Sequence, residues 1–392
     1  MKVKKWQNPI TSRGNDGPKR NASESTKITS GEYPFPVNNA DHVDNHDSTE
    51  QMGEVTAVAD DLTNGYDFSQ IDSPKENPNV GLFTVKSANQ AIKDAKSRPV
   101  PRFLFGQLWY EGENCILFSD TNLGKTILAM QIADTISSGR RATVGLAMDA
   151  PAQLVAYCDF ELSEMQFRKR YSDANGNDYL FSDNLLRVEI DPDADCPDGS
   201  SFEDYLKMSL EQLVADYEVK VIIIDNITFL SNRLEKAQEA LPLMNWLKTL
   251  GKKYGLSILV LAHTPKRPLS SPLTQNDVAG SKMLINFADS MFAIGASAKD
   301  PSLRYIKELK QRNEPYRYDA DNVIVCEIEK PGNFLQFSFR EYGCESDHLT
   351  ATPKDELIKR VKELAAKGVP YRDIKAQTGA SLGAISNYLK KP

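Results

Sequence analysis

The chain has 392 residues, 40% hydrophobic and 26% charged, with 47 Lys+Arg against 54 Asp+Glu and a net charge of −7. That length accommodates two or three folded units, and the charge balance excludes a uniformly basic nucleic-acid coat while leaving room for a local basic module. No apolar run approaches the ~20 residues of a membrane span, and Met1–Trp6 runs into polar sequence, not into the apolar core of a secretory signal. The five cysteines (Cys115, Cys158, Cys196, Cys326, Cys344) are scattered without a CxxC pair, and three of them lie in apolar runs. This usage reads as a reduced, cytoplasmic protein with buried thiols and neither a disulfide framework nor a zinc site.

Residues 1–80 open basic (Lys2, Lys4, Lys5, Arg13, Lys19, Arg20) and turn acidic from Asp41 to Glu76, with Asn, Ser, Gly and Pro between and no sustained apolar period. Such a stretch cannot bury enough surface to offset its ordering entropy, so a disordered, solvated tail is expected. The alternative is a tail that meets a partner or shields a basic surface. His42 and His46 stand beside carboxylates here, without the scaffold a metal site needs.

Residues 81–342 alternate. Strands are predicted at 115–119, 154–159, 186–190, 220–225 and 257–262, with amphipathic helices at 126–138, 163–174, 202–217 and 234–254 between them. Short apolar strands alternating with helices imply an α/β fold whose mainly parallel sheet is covered on both faces. Four later strands (290–294, 304–310, 322–329, 334–340) come without long helices and read as an antiparallel extension. Residues 343–353 read as a linker. Residues 354–392 then carry nine Lys or Arg against four acids. Three short helices, 355–366, 371–377 and 382–389, are separated at Gly368 and Gly379 in the layout of a helix-turn-helix. Its third helix, capped by Ser381, would present Ser381, Gly383, Ser386, Asn387 and Lys390 to a DNA major groove, although Lys375 stands where a small residue is usual. A helical packing or oligomerisation domain is the competing reading.

The sharpest local signal is Ser119-Asp120-Thr121-Asn122-Leu123-Gly124-Lys125-Thr126, between an apolar strand and a helix. This is the strand–loop–helix setting of a P-loop, in which backbone N–H groups wrap a nucleotide's β-phosphate at the positive end of the helix. Gly124 admits the close backbone, Lys125 reaches the β/γ oxygens, and Thr126 offers its hydroxyl to Mg²⁺. Ser119 replaces the usual first Gly. About a hundred residues on, Val221–Asp225 is an apolar strand ending in a carboxylate, as a ligand to a magnesium-bound water requires. Glu161, just past another strand tip taken to adjoin the P-loop strand, could orient a water in line with the γ-phosphate. Asp159 competes for that role, and an ordinary helix N-terminal acid capped by Ser163 is the structural alternative.

Further segments resemble the RecA-fold hexameric ATPases, in particular the DnaB-type replicative and RepA-type plasmid helicases, over about residues 100–342. Glu161-Leu162-Ser163-Glu164-Met165-Gln166-Phe167-Arg168-Lys169-Arg170 is similar to their E-M-S-x-x-Q-L-x-x-R segment. Asn276–Lys282 through Asp289 is similar to their D-L-x-x-S-G-x-I-x-x-x-A-D stretch. Leu309-Lys310-Gln311-Arg312-Asn313 is similar to their K-Q-R-N-G, with Glu314 in place of the Gly. The resemblance implies a RecA-like ATPase with ATP and Mg²⁺ as cofactors, DNA as partner, no membrane, and assembly into a ring, a hexamer in that family. It implies that Glu161 is the catalytic base, and that Lys310 and Arg312 act as fingers in a neighbour's ATP site; period 2 would put the two on one face of a late strand, and a surface ion pair is the alternative. It also implies that His263, at the end of the 257–262 strand, senses the γ-phosphate, and that Lys266 and Arg267 line the DNA channel; a structural histidine and a solvated loop are the alternatives. Three functions remain open at this stage: a helicase of a plasmid or mobile element, an ATP-gated DNA-binding regulator that unwinds nothing, and a protein that holds nucleotide without turnover.

Overall fold

The computed structural model describes residues 79–227, 240–264, 267–278 and 282–390. By internal contacts the chain divides into two compact units, 1–91 and 92–392, each described by itself. The expected disordered tail lies almost wholly outside the described residues. In the first unit, β1 (Asn79–Val80) and β2 (Phe83–Thr84) pair as an antiparallel hairpin; α1 (Ala88–Lys96) follows in the chain and spans the boundary at residue 91.

The second unit holds β3 (Asn114–Ser119), α2 (Lys125–Ser138), a small ribbon of β4 (Ala142–Thr143) and β5 (Leu146–Ala147), β6 (Val155–Asp159), α3 (Glu164–Arg170), β7 (Leu185–Val188) and α4 (Phe202–Tyr217). There follow β8 (Val221–Asp225), α5 (Ala240–Tyr254), β9 (Ser257–His263), α6 (Lys282–Phe287), β10 (Ser290–Ala296), β11 (Leu303–Lys310), β12 (Val323–Glu329) and β13 (Gln336–Gly343). Nine strands form one sheet in the order β13-β12-β11-β10-β3-β9-β8-β6-β7, which places the P-loop strand in the middle.

The strands from β10 to β7 in that order are parallel, and β11 to β13 are antiparallel. Thus β10 departs from the expected antiparallel extension: it pairs parallel to β3, Met291 opposite Ile116. The apolar runs serve both faces at period 2. Cys115, Leu117, Val221 and Ile223 enter one core, and Ile116, Phe118, Ile222 and Ile224 enter the other. Each fully buried Leu, Ile or Phe contributes roughly 1.5–3 kcal/mol.

Two helices differ from expectation. The first, α2, is buried on nearly every face, because β12 and β13 fold back over it. The Gln131 side chain bridges to β13 by donating to the Phe337 carbonyl (3.0 Å) and accepting from the Phe337 N–H (2.8 Å). The second, α3, stops at Arg170 and not at residue 174. Tyr171 leaves the helix to pack among Phe167, Phe181 and Phe334, a tertiary contact that overrides local propensity.

Beyond the sheet, residues 345–348 form a 3₁₀ turn in which Glu345 and His348 are buried, so the expected linker is partly packed. Three helices follow, α7 (Pro353–Ala366), α8 (Tyr371–Thr378) and α9 (Leu382–Lys390). Thr352 caps α7 by accepting from the Asp355 N–H (3.1 Å). Gly379 takes the left-handed conformation (φ 72°) that ends α8. Val361, Leu364, Ile374, Ala380 and Ile385 form a small core of their own.

Candidate phosphate-binding site

Where β3 ends, the chain turns through 120–124 and re-enters a helix at Lys125. Gly124 has φ +96°, and a Cβ there would lie 2.7 Å from Ile328 Cδ1 and 2.9 Å from Phe337 Cε2. Any other residue would be strained and would collide with the β12–β13 cover. Ser119 is fully buried, and its hydroxyl donates to the Asp120 carbonyl (2.9 Å). The position that usually carries Gly therefore accommodates a side chain that closes the loop on itself.

Lys125 folds back into this loop. Its Nζ donates to the Ser119 carbonyl (3.1 Å), to Ser119 Oγ (3.3 Å) and to the Asp120 carbonyl (3.5 Å), and lies 3.2 Å from His263 Nδ1. Burial pulls the Lys125 pKa down, and the nearby Asp225, Glu161 and Asp120 oppose that shift. A cleft of about 280 Å³ opens above it, lined by Thr121, Asn122, Lys125, Thr126, Glu161 and Arg170, among others.

The acids around the cleft separate by environment. Asp225 is buried at the end of β8, accepts from Tyr157 Oη (2.7 Å) and is bonded by the Thr126 hydroxyl. Burial pushes its carboxyl up to about 6. A hydroxyl and a carboxylate set together, both oxygen donors, match what Mg²⁺ coordinates directly or through water. Asp159 sits opposite Asp225 in the ladder, but its carboxylate is tied to Arg187 Nε (2.9 Å) and to the backbone N–H groups of Glu161 and Leu162. It holds the turn and does not face the cleft.

Glu161 does face the cleft. The strand that carries it is not beside β3, as the sequence suggested; β9 and β8 intervene. The side chain nevertheless reaches the P-loop, because Glu161 Oε1 accepts from Asn226 Nδ2 and lies 3.7 Å from His263 Nε2. Asn226 Nδ2 in turn lies 3.0 Å from His263 Nε2. Burial and the Lys125 charge lower the His263 pKa, which favours a neutral ring able to accept from one neighbour and donate to another.

Not every expected residue joins this group. Lys310 and Arg312 lie at the opposite end of the sheet, where β3 begins: Met291 pairs with Lys310 on one side and Ile116 on the other. Arg312 follows the strand and is not on it, so the two cations do not share a strand face. Lys310 Nζ donates to the Ile285 carbonyl (2.5 Å), and Arg312, its side chain 50% exposed, bonds Asp289 (3.0 Å). Lys266 lies outside the described residues, as do residues 279–281 of the family-like stretch. Arg267, expected to face DNA, has only 8% of its side chain exposed and points inward. In the C-terminal helices Ser381, Asn387 and Lys390 are exposed and Ser386 is half-buried.

Two contributors escaped the motif reading, and a third stood in the family-like segment without a role. Asn226, directly after Asp225, links Glu161 to His263. Tyr157 Oη holds Asp225. Arg170 lines the cleft with its NH1 buried and without a hydrogen-bond partner. Of the first two, only Asn226 had a usable signal, its adjacency to a strand-terminal acid. Arg170 was already the closing residue of the segment that begins at Glu161, and Tyr157 depends on which strands meet.

A central β–loop–α phosphate cradle with a buried lysine and a strand-end carboxylate defines an α/β P-loop ATPase domain. Residues 84–268, just under half the chain, match a family model described as an AAA domain. No curated protein matches the chain. Among 561 matching chains of solved structures is a KaiC-like protein from the hyperthermophilic archaeon Pyrococcus horikoshii OT3. It is 15% identical, and the match spans 61% of this chain and 99% of that one with a TM-score of 0.43.

Proposed function

We propose that the protein is a RecA-like, ATP-hydrolysing motor that acts on DNA as a ring, as a helicase of the DnaB/RepA kind in replication or mobilisation of a plasmid or other mobile element. The observation that carries this reading is the division of the charged groups between the two ends of the sheet. The cleft gathers Lys125, Thr126 and Glu161, with Asp225 buried behind Thr126 and bonded to its hydroxyl, while Lys310 and Arg312 stand at the far end and can reach such a cleft only in a second copy.

In this reading Lys125 leaves its loop carbonyls for the β/γ oxygens. Thr126 and Asp225 would hold Mg²⁺, which supplies charge neutralisation across those oxygens. Glu161 accepts the proton of the attacking water, and Asn226 fixes the carboxylate in place. His263 contacts both Lys125 and Asn226, so a change at the γ-phosphate reaches the base and the end of β9 together. Arg170 supplies charge in cis, and Lys310 and Arg312 supply it in trans. The exposed residues of α9 dock the ring on DNA, with Ser381, Asn387 and Lys390 outward.

The test is ATP turnover with and without single-stranded DNA, mass in solution, and strand displacement on forked DNA. DNA-stimulated turnover by an oligomer with displacement supports the motor. Stimulation without displacement leaves the ATP-gated regulator. Unchanged turnover in Lys125→Ala removes the phosphate site itself.

A further inference from the structure

The inward turn of Arg267 places a cation between the P-loop and the segment leading to the C-terminal helices. Its Nε lies 4.0 Å from Asp120 Oδ2, its NH1 donates to the Ser271 carbonyl (2.5 Å), and its guanidinium reaches the Tyr305 hydroxyl. The same short segment, 267–273, is fastened on its other side to residues 345–350. Glu345 Oε1 accepts from the Leu273 N–H (2.7 Å) and from Tyr305 Oη (3.2 Å). Lys307 Nζ bonds both Glu345 Oε2 (2.5 Å) and the Leu273 carbonyl (2.9 Å). The Thr350 N–H donates to the Leu269 carbonyl (3.2 Å), and two residues later Thr352 caps α7.

This is a continuous polar chain from a P-loop carboxylate to the root of α7, buried in its middle at Leu273, Tyr305, Lys307 and Glu345 and partly exposed at its two ends. Its weakest link is the Asp120–Arg267 contact, at 4.0 Å long for an ion pair, with Arg267 largely shielded from water and Asp120 partly open to it. A cation shielded as Arg267 is feels nearby charge more than an exposed one would, so phosphates arriving beside Asp120 act on it. The Glu345–Lys307 end is closely paired and holds 345–350 to the segment, so the two move together.

We propose that Arg267 is a positioning residue that couples occupancy of the phosphate cleft to the seating of residues 345–352, and through them to α7–α9. The inference rests on nucleotide binding at the P-loop, not on DNA binding by the helices.

Amide hydrogen exchange across 345–352 tests it on the full chain, with and without Mg²⁺ and a non-hydrolysable ATP analogue, alongside binding of a fluorescent nucleotide. In the wild type, nucleotide changes exchange there about fivefold or more, the lower range of ordinary site–site coupling. Arg267→Gln abolishes that change while still binding nucleotide. Tyr305→Phe, which removes only a hydroxyl and keeps the ring packed, diminishes it and remains informative should Arg267→Gln fold poorly. A wild-type-sized response in either variant, or no response in a wild type that binds nucleotide, overturns the inference. A wild type that binds no nucleotide sinks the phosphate-site reading, and this inference with it.

Discussion

The two ends of the sheet handle charge in opposite ways. Where β3 finishes, Lys125 and Asp225 are buried, 7% and 1% exposed, and locked to loop carbonyls and hydroxyls. Where β3 starts, Arg312 is half exposed, ion-paired with Asp289 and weakly bonded to the Asn286 carbonyl (3.5 Å). A buried, hydrogen-bonded constellation is preorganised and keeps its geometry without a partner, at a cost in stability. A half-exposed pair holds its cation weakly, so Arg312 can exchange Asp289 for another anion with little loss. In the proposed reading one end holds a charged ligand, and the other gives up a charged side chain.

The largest effect is expected where that division is broken. Arg312→Ala should lower turnover by about 10³-fold, the scale of a lost arginine finger. Mixing it with Lys125→Ala should restore part of the activity, since hybrid assemblies contain some intact sites. Mixing that restores nothing would put Arg312 outside the reaction. Next, Glu161→Gln should reduce turnover by roughly 10²–10⁴-fold with nucleotide binding retained; near-normal turnover in a steady-state assay moves the base elsewhere.

A stability effect comes third. Burial raises the Asp225 carboxyl from its ordinary 3.8 to about 6. The folded chain therefore holds this proton more tightly than the unfolded chain, and stability is lost as pH rises from about 4 to about 6. Asp225→Asn should stabilise the nucleotide-free protein by about 1–3 kcal/mol above pH 7, a gain that fades towards pH 4, while abolishing Mg²⁺-dependent turnover. Urea unfolding at several pH values measures it, and a pH-independent difference contradicts the burial account. The smallest effect belongs to Lys390→Ala. Weaker DNA binding, with the slope of log K against log salt reduced by about one, is expected if Lys390 meets a phosphate.

Much of the strand and helix order was readable because apolar runs of five or six residues ending in Ser119, Asp159 and Asp225 have few other uses. The P-loop helix was readable as a helix but not as a buried one. Its cover comes from β12 and β13, some two hundred residues later, and a sequence pattern does not show which face a distant hairpin will occupy. Arg267 lies more deeply than its sequence setting suggests for a related reason. A cation in a polar, proline-bearing loop looks solvated until Asp120 and Tyr305 are brought beside it.

Local sequence alone determined the phosphate cradle: a small residue, a glycine able to take φ +96°, and a lysine and threonine opening a helix. Those choices depend on backbone sterics within eight residues, which any fold must respect. Tertiary structure decided which acid faces the cleft, that Asn226 and Arg170 join it, and that Lys310 and Arg312 stand at the other end of the sheet. These follow from strand order, and strand order is set by packing between segments far apart in the chain.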